Sequence, residues 1–148
     1  LNEGIVQDYR YDYLCVEPKI VWAPSVFFEA EYKATVSCVG GGIGEDTRLD
    51  PLWEVAQRLT LSLEFHDTEF CLSGEHFYND LSKNQHLNTW LADVSLIHKA
   101  GKWRFAASAI NLFNKEQYRY TLYSAVQSYT SWIKLRPREF MVSVQYQW

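Results

Sequence analysis

Glu139-Phe140-Met141-Val142-Ser143-Val144-Gln145-Tyr146-Gln147-Trp148 alternates without a break. Phe140, Val142, Val144, Tyr146 and Trp148 fall on one side of an extended chain, and Glu139, Met141, Ser143, Gln145 and Gln147 on the other. Successive side chains of a strand point to opposite faces. The stretch therefore predicts a strand with one aliphatic and aromatic face and one mainly polar face. With its lead-in it runs from Pro137 to Trp148, longer than the ~5 to 6 residues of a typical soluble strand and long enough for the ~9 to 11 of a membrane-spanning one.

Six segments upstream repeat the pattern. In chain order their apolar sides are Leu14 to Trp22, Val26 to Val36, Trp53 to Phe65, Phe70 to Tyr78, Trp90 to Leu96 and Trp103 to Ala109, each counted at alternate positions. Helical periodicity is nearly absent, so the expected fold is all-β: about seven or eight long antiparallel up-and-down strands. Tight turns are expected at Ala23-Pro24, His66-Asp67-Thr68 and Lys99 to Lys102. Long polar loops are expected at Gly40 to Asp50, Asn79 to His86 and Lys115 to about Ser131, with an eighth strand conceivable within Tyr118 to Gln127. Short turns at one end and long loops at the other is the pattern of outer-membrane barrels, whose short ends are periplasmic.

Composition narrows the class. Aromatic residues make up 16% of the chain, yet mean hydropathy is only -0.28. No run approaches the ~18 to 20 apolar residues of a spanning helix. The net charge of -4 comes without a basic cluster, which argues against nucleic acid as a partner. Cys15, Cys38 and Cys71 lack metal-type spacing and read as small strand residues.

The aromatics sort to the strand ends. Trp22, Phe28, Phe65, Phe70, Trp103, Phe105, Tyr146 and Trp148 lie near the short turns, whereas Trp53, Tyr78 and Trp90 lie towards the long loops. Indole and phenol rings favour the level of lipid headgroups, so the two groups are expected to form a periplasmic and an outer belt around an aliphatic band. The opposite face carries Glu29, Glu31, Lys33, Glu54, Arg58, Glu64, Glu75, Asp93 and Arg104. So many ionisable groups cannot pack dry, and they suit a lumen.

Seven strands ending in the periplasm start outside, in mid-barrel. Complete bacterial barrels have even strand counts. With no apolar leader in Leu1 to Arg10, residues 1–148 are expected to be a single barrel segment, without a plug domain, completed by further strands of the same parent or of another chain.

Two motifs carry a family resemblance. Asn111-Leu112-Phe113-Asn114-Lys115 followed by Tyr118 resembles the penultimate-strand signature of TonB-dependent outer-membrane receptors. Leu135-Arg136-Pro137-Arg138-Glu139-Phe140, leading to a terminal aromatic, resembles the last strand of their nutrient-receptor and CarboxypepD-regulatory-like branch. The likeness is close over about Trp90 to Trp148 and only architectural before that. It implies a 22-stranded plugged barrel that imports nutrients across the outer membrane, with the C-terminus periplasmic. It further implies the lipid bilayer, the remaining strands and plug, and the assembly machinery as partners, with TonB reached only through a plug. Trp148, Tyr146 and Val144 resemble the signal that assembly machinery reads.

No catalytic, metal or cofactor site is expected. His66, His76, His86 and His98 are scattered, and the glycines from Gly40 to Gly44 precede no helix, so they read as a flexible outer loop. The carboxylate groupings Glu29 with Glu31 and Glu64 with Glu75 read as polar lumen groups rather than a hydrolase pair. Tyr118, Tyr120, Tyr123, Tyr129 and Trp132 in the last loop could contact a ligand or extend the final strands. Two other function classes stay open: a small self-contained outer-membrane barrel with a structural or surface-binding role, and a soluble lipocalin-like ligand-binding barrel.

Overall fold

Backbone pairing follows the alternation. The computed structural model describes residues 9–43, 47–82, 85–123 and 128–148. Its ten strands are β1 (Tyr9–Val16), β2 (Lys19–Ser25), β3 (Phe28–Ile43), β4 (Thr47–Phe65), β5 (Thr68–Ser82), β6 (Gln85–Ala100), β7 (Trp103–Ile110), β8 (Gln117–Tyr123), β9 (Ser128–Lys134) and β10 (Glu139–Tyr146). β1 and β2 form one lane, both pairing antiparallel with β3 and separated by Glu17-Pro18. Pro18 has no N–H to give a ladder, but its carbonyl still accepts from the Ala34 amide at 3.0 Å. From there the sheet runs β3-β4-β5-β6-β7-β10, and β8 and β9 pair only with each other. The expected seven segments are thus seven lanes of one antiparallel meander, with β7 and β10 shorter than expected at 8 residues each, β10 covering only Glu139–Tyr146 of the stretch from Pro137 to Trp148. Among the described residues the sheet is open, edged by the β1–β2 lane and by β10.

Two tight turns fall where expected. His66 takes a positive φ of 52° between Phe65 and its partner Thr68. Gly101 takes φ 61° between Ala100 and its partner Trp103. The first turn is different: β2 continues to Ser25, and Val26-Phe27 makes the turn instead of Ala23-Pro24. A register shift between Trp22 and Ser25 explains it, because a proline is tolerated where a bulge removes the ladder bond.

The expected long loops are mostly strand. Gly40 to Ile43 belongs to β3 and Thr47 to Asp50 to β4, so the glycine run is not a loop; Gly44 lies outside the described residues. Likewise β5 reaches Ser82 and β6 begins at Gln85. Within Lys115 to Ser131, β8 and β9 form a hairpin of their own, so the conceivable eighth strand exists but does not join the main sheet. Glycine-rich and polar sequence disguised these extensions, because alternation is legible only where apolar residues recur.

The sheet has hardly any packed interior. Among the described residues only Ala34 and Ala109 are buried apolar residues, and no large side chain is fully buried. β7 has its aromatic side the more exposed: Trp103, Phe105 and Ala107 are open, whereas Arg104, Ala106 and Ser108 are partly covered. A soluble sheet shows the opposite, hiding its apolar face against a second layer.

Candidate functional site

Register puts every apolar segment on one side. The row through Trp22 runs across Ala30, Leu61, Leu72, Val94 and Ala109 to Phe140. The next row towards the short turns runs Phe28, Leu63, Phe70, Leu96, Ala107 and Val142. Cross-strand partners share a face, so seven lanes make one continuous apolar surface. Large members of it stand open, including Phe65 at 65%, Phe140 at 73% and Val142 at 81% exposure.

The end aromatics cross these rows obliquely. Trp22 is level with Phe140, but the β10 aromatic nearest the same end is Tyr146, six residues further along (146 − 140). That drop accumulates over six strand-to-strand steps. At roughly 3.3 Å per residue and 4.8 Å per strand it is a slope of about 35°. Phe28, Phe65, Phe70, Trp103 and Phe105 each lie close to the line so drawn. The other group slopes the same way. Trp53 donates its backbone N–H to the Asp80 carboxylate at 3.0 Å, and Asp80 pairs with His86. Tyr78 and Trp90 lie two and four residues nearer the short turns than Asp80 and His86. Ring contacts knit the lower line at both ends: Trp22 with Phe28 at 5.5 Å, Trp103 with Tyr146 at 4.8 Å, and Tyr146 with Trp148 at 5.7 Å. Trp148 itself is fully exposed.

The opposite face is ionic. Glu31 bridges Lys19 at 3.0 Å and Lys33 at 2.6 Å, and Arg58 pairs with Glu75. Glu69 pairs with Lys99 at 2.6 Å beside the short turns; this bond lowers the Glu69 pKa and raises that of Lys99. Of the two carboxylate groupings, Glu29 and Glu31 do share this face. Glu64 and Glu75 are not brought together, because Glu64 sits opposite Glu69 and Glu75 opposite Arg58. No group of three potential metal ligands occurs among the described residues.

The Asn-Leu-Phe-Asn motif turns out to be a staple. β7 pairs with β6 only as far as Ala109 opposite Val94, while β6 extends to Gln85. At that point Asn111 enters the left-handed region with φ 53°, a conformation asparagine tolerates better than most residues. Its amide nitrogen Nδ2 donates to the carbonyls of Lys115 at 2.8 Å and Arg136 at 2.7 Å, and its Oδ1 accepts from the Lys115 N–H at 2.9 Å. Its own backbone N–H donates to Asp93 Oδ1 at 2.8 Å. Asn114, also left-handed at φ 51°, accepts the Arg138 N–H at 3.0 Å. One motif therefore ties the exit from β7 to the entry into β10.

The tie sends the β8–β9 hairpin over the ionic face. Tyr118 stacks at a tilt on Phe77, ring centroids 4.8 Å apart, and Phe77 shares its face with Glu75 and Asn79. Cross-strand pairing puts Tyr118 with Ile133 and Tyr129 on one side of the hairpin, and Arg119 with Trp132 on the other. The Arg119 guanidinium lies over the Trp132 ring at 4.7 Å, and Trp132 is 61% exposed. The five aromatics singled out in this segment are thus divided: Tyr118 anchors the hairpin and Trp132 faces outward. The side chains of Tyr120 and Tyr123 lie outside the described residues.

Compared with protein families, curated proteins and solved structures, the chain matches none. Its function is therefore argued from its own geometry. Sequence reading missed Gln57, His76 and Asn88, three polar residues on the apolar side. The break in alternation at Gln57, between Val55 and Leu59, was the available signal.

Proposed function

We propose that the chain is the C-terminal barrel segment of an outer-membrane, TonB-dependent type of nutrient receptor, carrying no enzymatic activity of its own. One observation carries this reading: two aromatic lines, sloping the same way, bound an exposed aliphatic surface. Strands of a barrel tilt by ~35 to 45°, so a flat bilayer interface must cut successive strands at a stagger. The slope of the lower line, about 35° from standard strand dimensions, matches that demand. Spacing agrees as well. Trp53 and Phe65 of β4 are 12 residues apart (65 − 53), about 40 Å along the strand. Tilted, that spans roughly 30 Å, enough to enclose an apolar band ~25 Å tall.

The ionic face then lines a lumen, with the β8–β9 hairpin folded over its outer mouth. Closure requires other strands. The β1–β2 lane and β10 run in the same direction, since six antiparallel steps separate them. Joining them would create a parallel seam, and a barrel of about eight strands has an interior filled by side chains alone. An odd number of additional strands closes an all-antiparallel barrel, and this disfavours the small self-contained barrel. The inverted exposure of β7 disfavours the soluble ligand-binding barrel. The family and its transport role rest on the Asn111–Lys115 and Leu135–Phe140 motifs, and the assembly signal on Trp148, Tyr146 and Val144.

Depth-dependent quenching tests the membrane reading. The protein in its assembled form is placed in bilayers brominated near the headgroups or near the chain ends. Shallow bromines are expected to quench tryptophan emission more than deep ones. Indifference to both, with full quenching by aqueous iodide, would contradict it.

A further inference from the structure

Among the described residues, a hydrogen-bonded polar intrusion crosses four lanes of the apolar face. The Tyr32 hydroxyl of β3 donates to Gln57 Oε1 of β4 at 2.7 Å. Gln57 Nε2 donates to His76 Nδ1 of β5 at 2.7 Å, and His76 Nε2 donates to Asn88 Oδ1 of β6 at 2.9 Å. The chain runs in one sense and makes His76 the neutral tautomer with its proton on Nε2. His76 also stacks on Trp90, centroids 4.1 Å apart and planes 24° apart. All four groups share the side of Leu59, Ala34, Trp90 and Tyr78, their register partners.

The intrusion does not follow the outer aromatic line. On β6 it starts just outside that line, Asn88 lying two residues nearer the long loops than Trp90. On β4, Gln57 lies four residues nearer the short turns than Trp53 (57 − 53), about 13 Å along the strand. On β3, Tyr32 pairs with Leu59, deeper still. An amide at that depth is costly in hydrocarbon unless its hydrogen-bonding capacity is met. The chain engages one hydrogen of the Gln57 amide and the donor side of the Tyr32 hydroxyl, leaving further capacity on both.

We infer that this chain is a polar notch in the bilayer-facing surface, which draws headgroup groups and interfacial water below the outer aromatic line along β3 and β4. The inference rests on the membrane reading above. The occupant follows from chemistry and continuity: no member of the chain is charged, so no counter-ion is called for. At Tyr78 and Trp90 the notch opens into the level where headgroups already lie. The outer leaflet is therefore thinned locally beside the β1–β2 lane, where Ile20 pairs with Tyr32.

Leu59 and Leu61 allow the test, lying two residues apart on the same strand and face, with Leu61 the farther from Gln57. A nitroxide is placed at either position in the assembled protein, with Cys15, Cys38 and Cys71 replaced by serine, in phosphatidylcholine bilayers. Collisions with oxygen and with a neutral nickel chelate are then compared. Expected is a Leu61 label reached by oxygen alone and a Leu59 label reached by the chelate. In the Gln57→Leu/His76→Leu variant, the Leu59 label should shift severalfold towards oxygen. A Leu59 label reached by oxygen alone, unchanged in the variant, would overturn the notch while leaving the membrane reading standing. Shielding of Leu59 from both reagents would also overturn it, in favour of a protein covering the patch. Chelate access at Leu61 as well would instead remove the membrane reading, and the notch with it.

Discussion

Asn111→Ala should release the β8–β9 hairpin from the sheet. Asn111 is 6% exposed and its side chain makes three hydrogen bonds, two to the carbonyls of Lys115 and Arg136 and one from the Lys115 N–H. Each such bond is worth about 1 kcal/mol net, and the backbone groups it leaves behind are poorly placed to find water. The left-handed φ of 53° adds about 1 kcal/mol of strain for alanine. Together the loss is about 4 kcal/mol, nearly three decades in the equilibrium between docked and released hairpin. Asn111→Gly removes the same three bonds but tolerates the backbone, so its loss should be about 3 kcal/mol. The assay joins Phe77→Cys to Tyr118→Cys with a short bis-maleimide, on a background without the native cysteines, across a urea series. Asn111→Ala should lose cross-linking at the lowest urea, Asn111→Gly next, and the parent last. An alanine variant that cross-links like the parent would refute the staple, and equal effects of alanine and glycine would refute the backbone part.

Leu61→Arg, in mid-band on the apolar face, should cost about 2 to 4 kcal/mol of barrel stability while the neighbouring Thr60→Arg costs little, measured by urea unfolding in bilayers. A β-carbon at Gly41 would collide with the Arg10 carbonyl, whereas one at Gly40 meets open space. Hydrogen exchange at Tyr11 and Asp12 should therefore accelerate in Gly41→Ala and not in Gly40→Ala. The Glu69 carboxyl is held below its ordinary pKa by Lys99, so its increment is present above the unfolded carboxylate range and disappears as pH falls through the lowered value. Glu69→Gln should flatten that acid limb slightly and leave neutral-pH stability almost unchanged, as expected of an exposed pair.

Most of the sheet could be read from residues because one of its faces is chemically uniform. Leu59, Leu61 and Leu63 alternate with Arg58, Thr60 and Ser62, and a slip of one residue would exchange the faces. Such segments state their own register. Where apolar residues do not recur the alternation disappears, and Gly40 to Ile43 and Thr47 to Asp50 read as loop although they are strand. The turn at Val26-Phe27 was misplaced because Pro24 signals a turn by itself, and only the ladder shows the bulge that accommodates it. The motif Asn111 to Lys115 was visible as a pattern, but its work was not. That depends on Arg136 and Asp93, brought close by pairing between lanes distant in sequence. The oblique aromatic lines were equally hidden, since sorting to strand ends is legible in one dimension and a slope across strands needs two. The polar notch shows the same limit: Gln57 breaks its own strand's pattern, but its partners Tyr32 and His76 are each separated from it by a whole turn of the meander.

A nitroxide scan along β4 from Arg58 to Leu63 tests the central claim most directly. With the assembled protein in bilayers, period-two alternation is expected, oxygen reaching labels at Leu61 and Leu63 and the nickel chelate reaching those at Arg58, Thr60 and Ser62. Aqueous access at every position, or oxygen access confined to the even-numbered ones, would contradict the assignment of the apolar face to lipid.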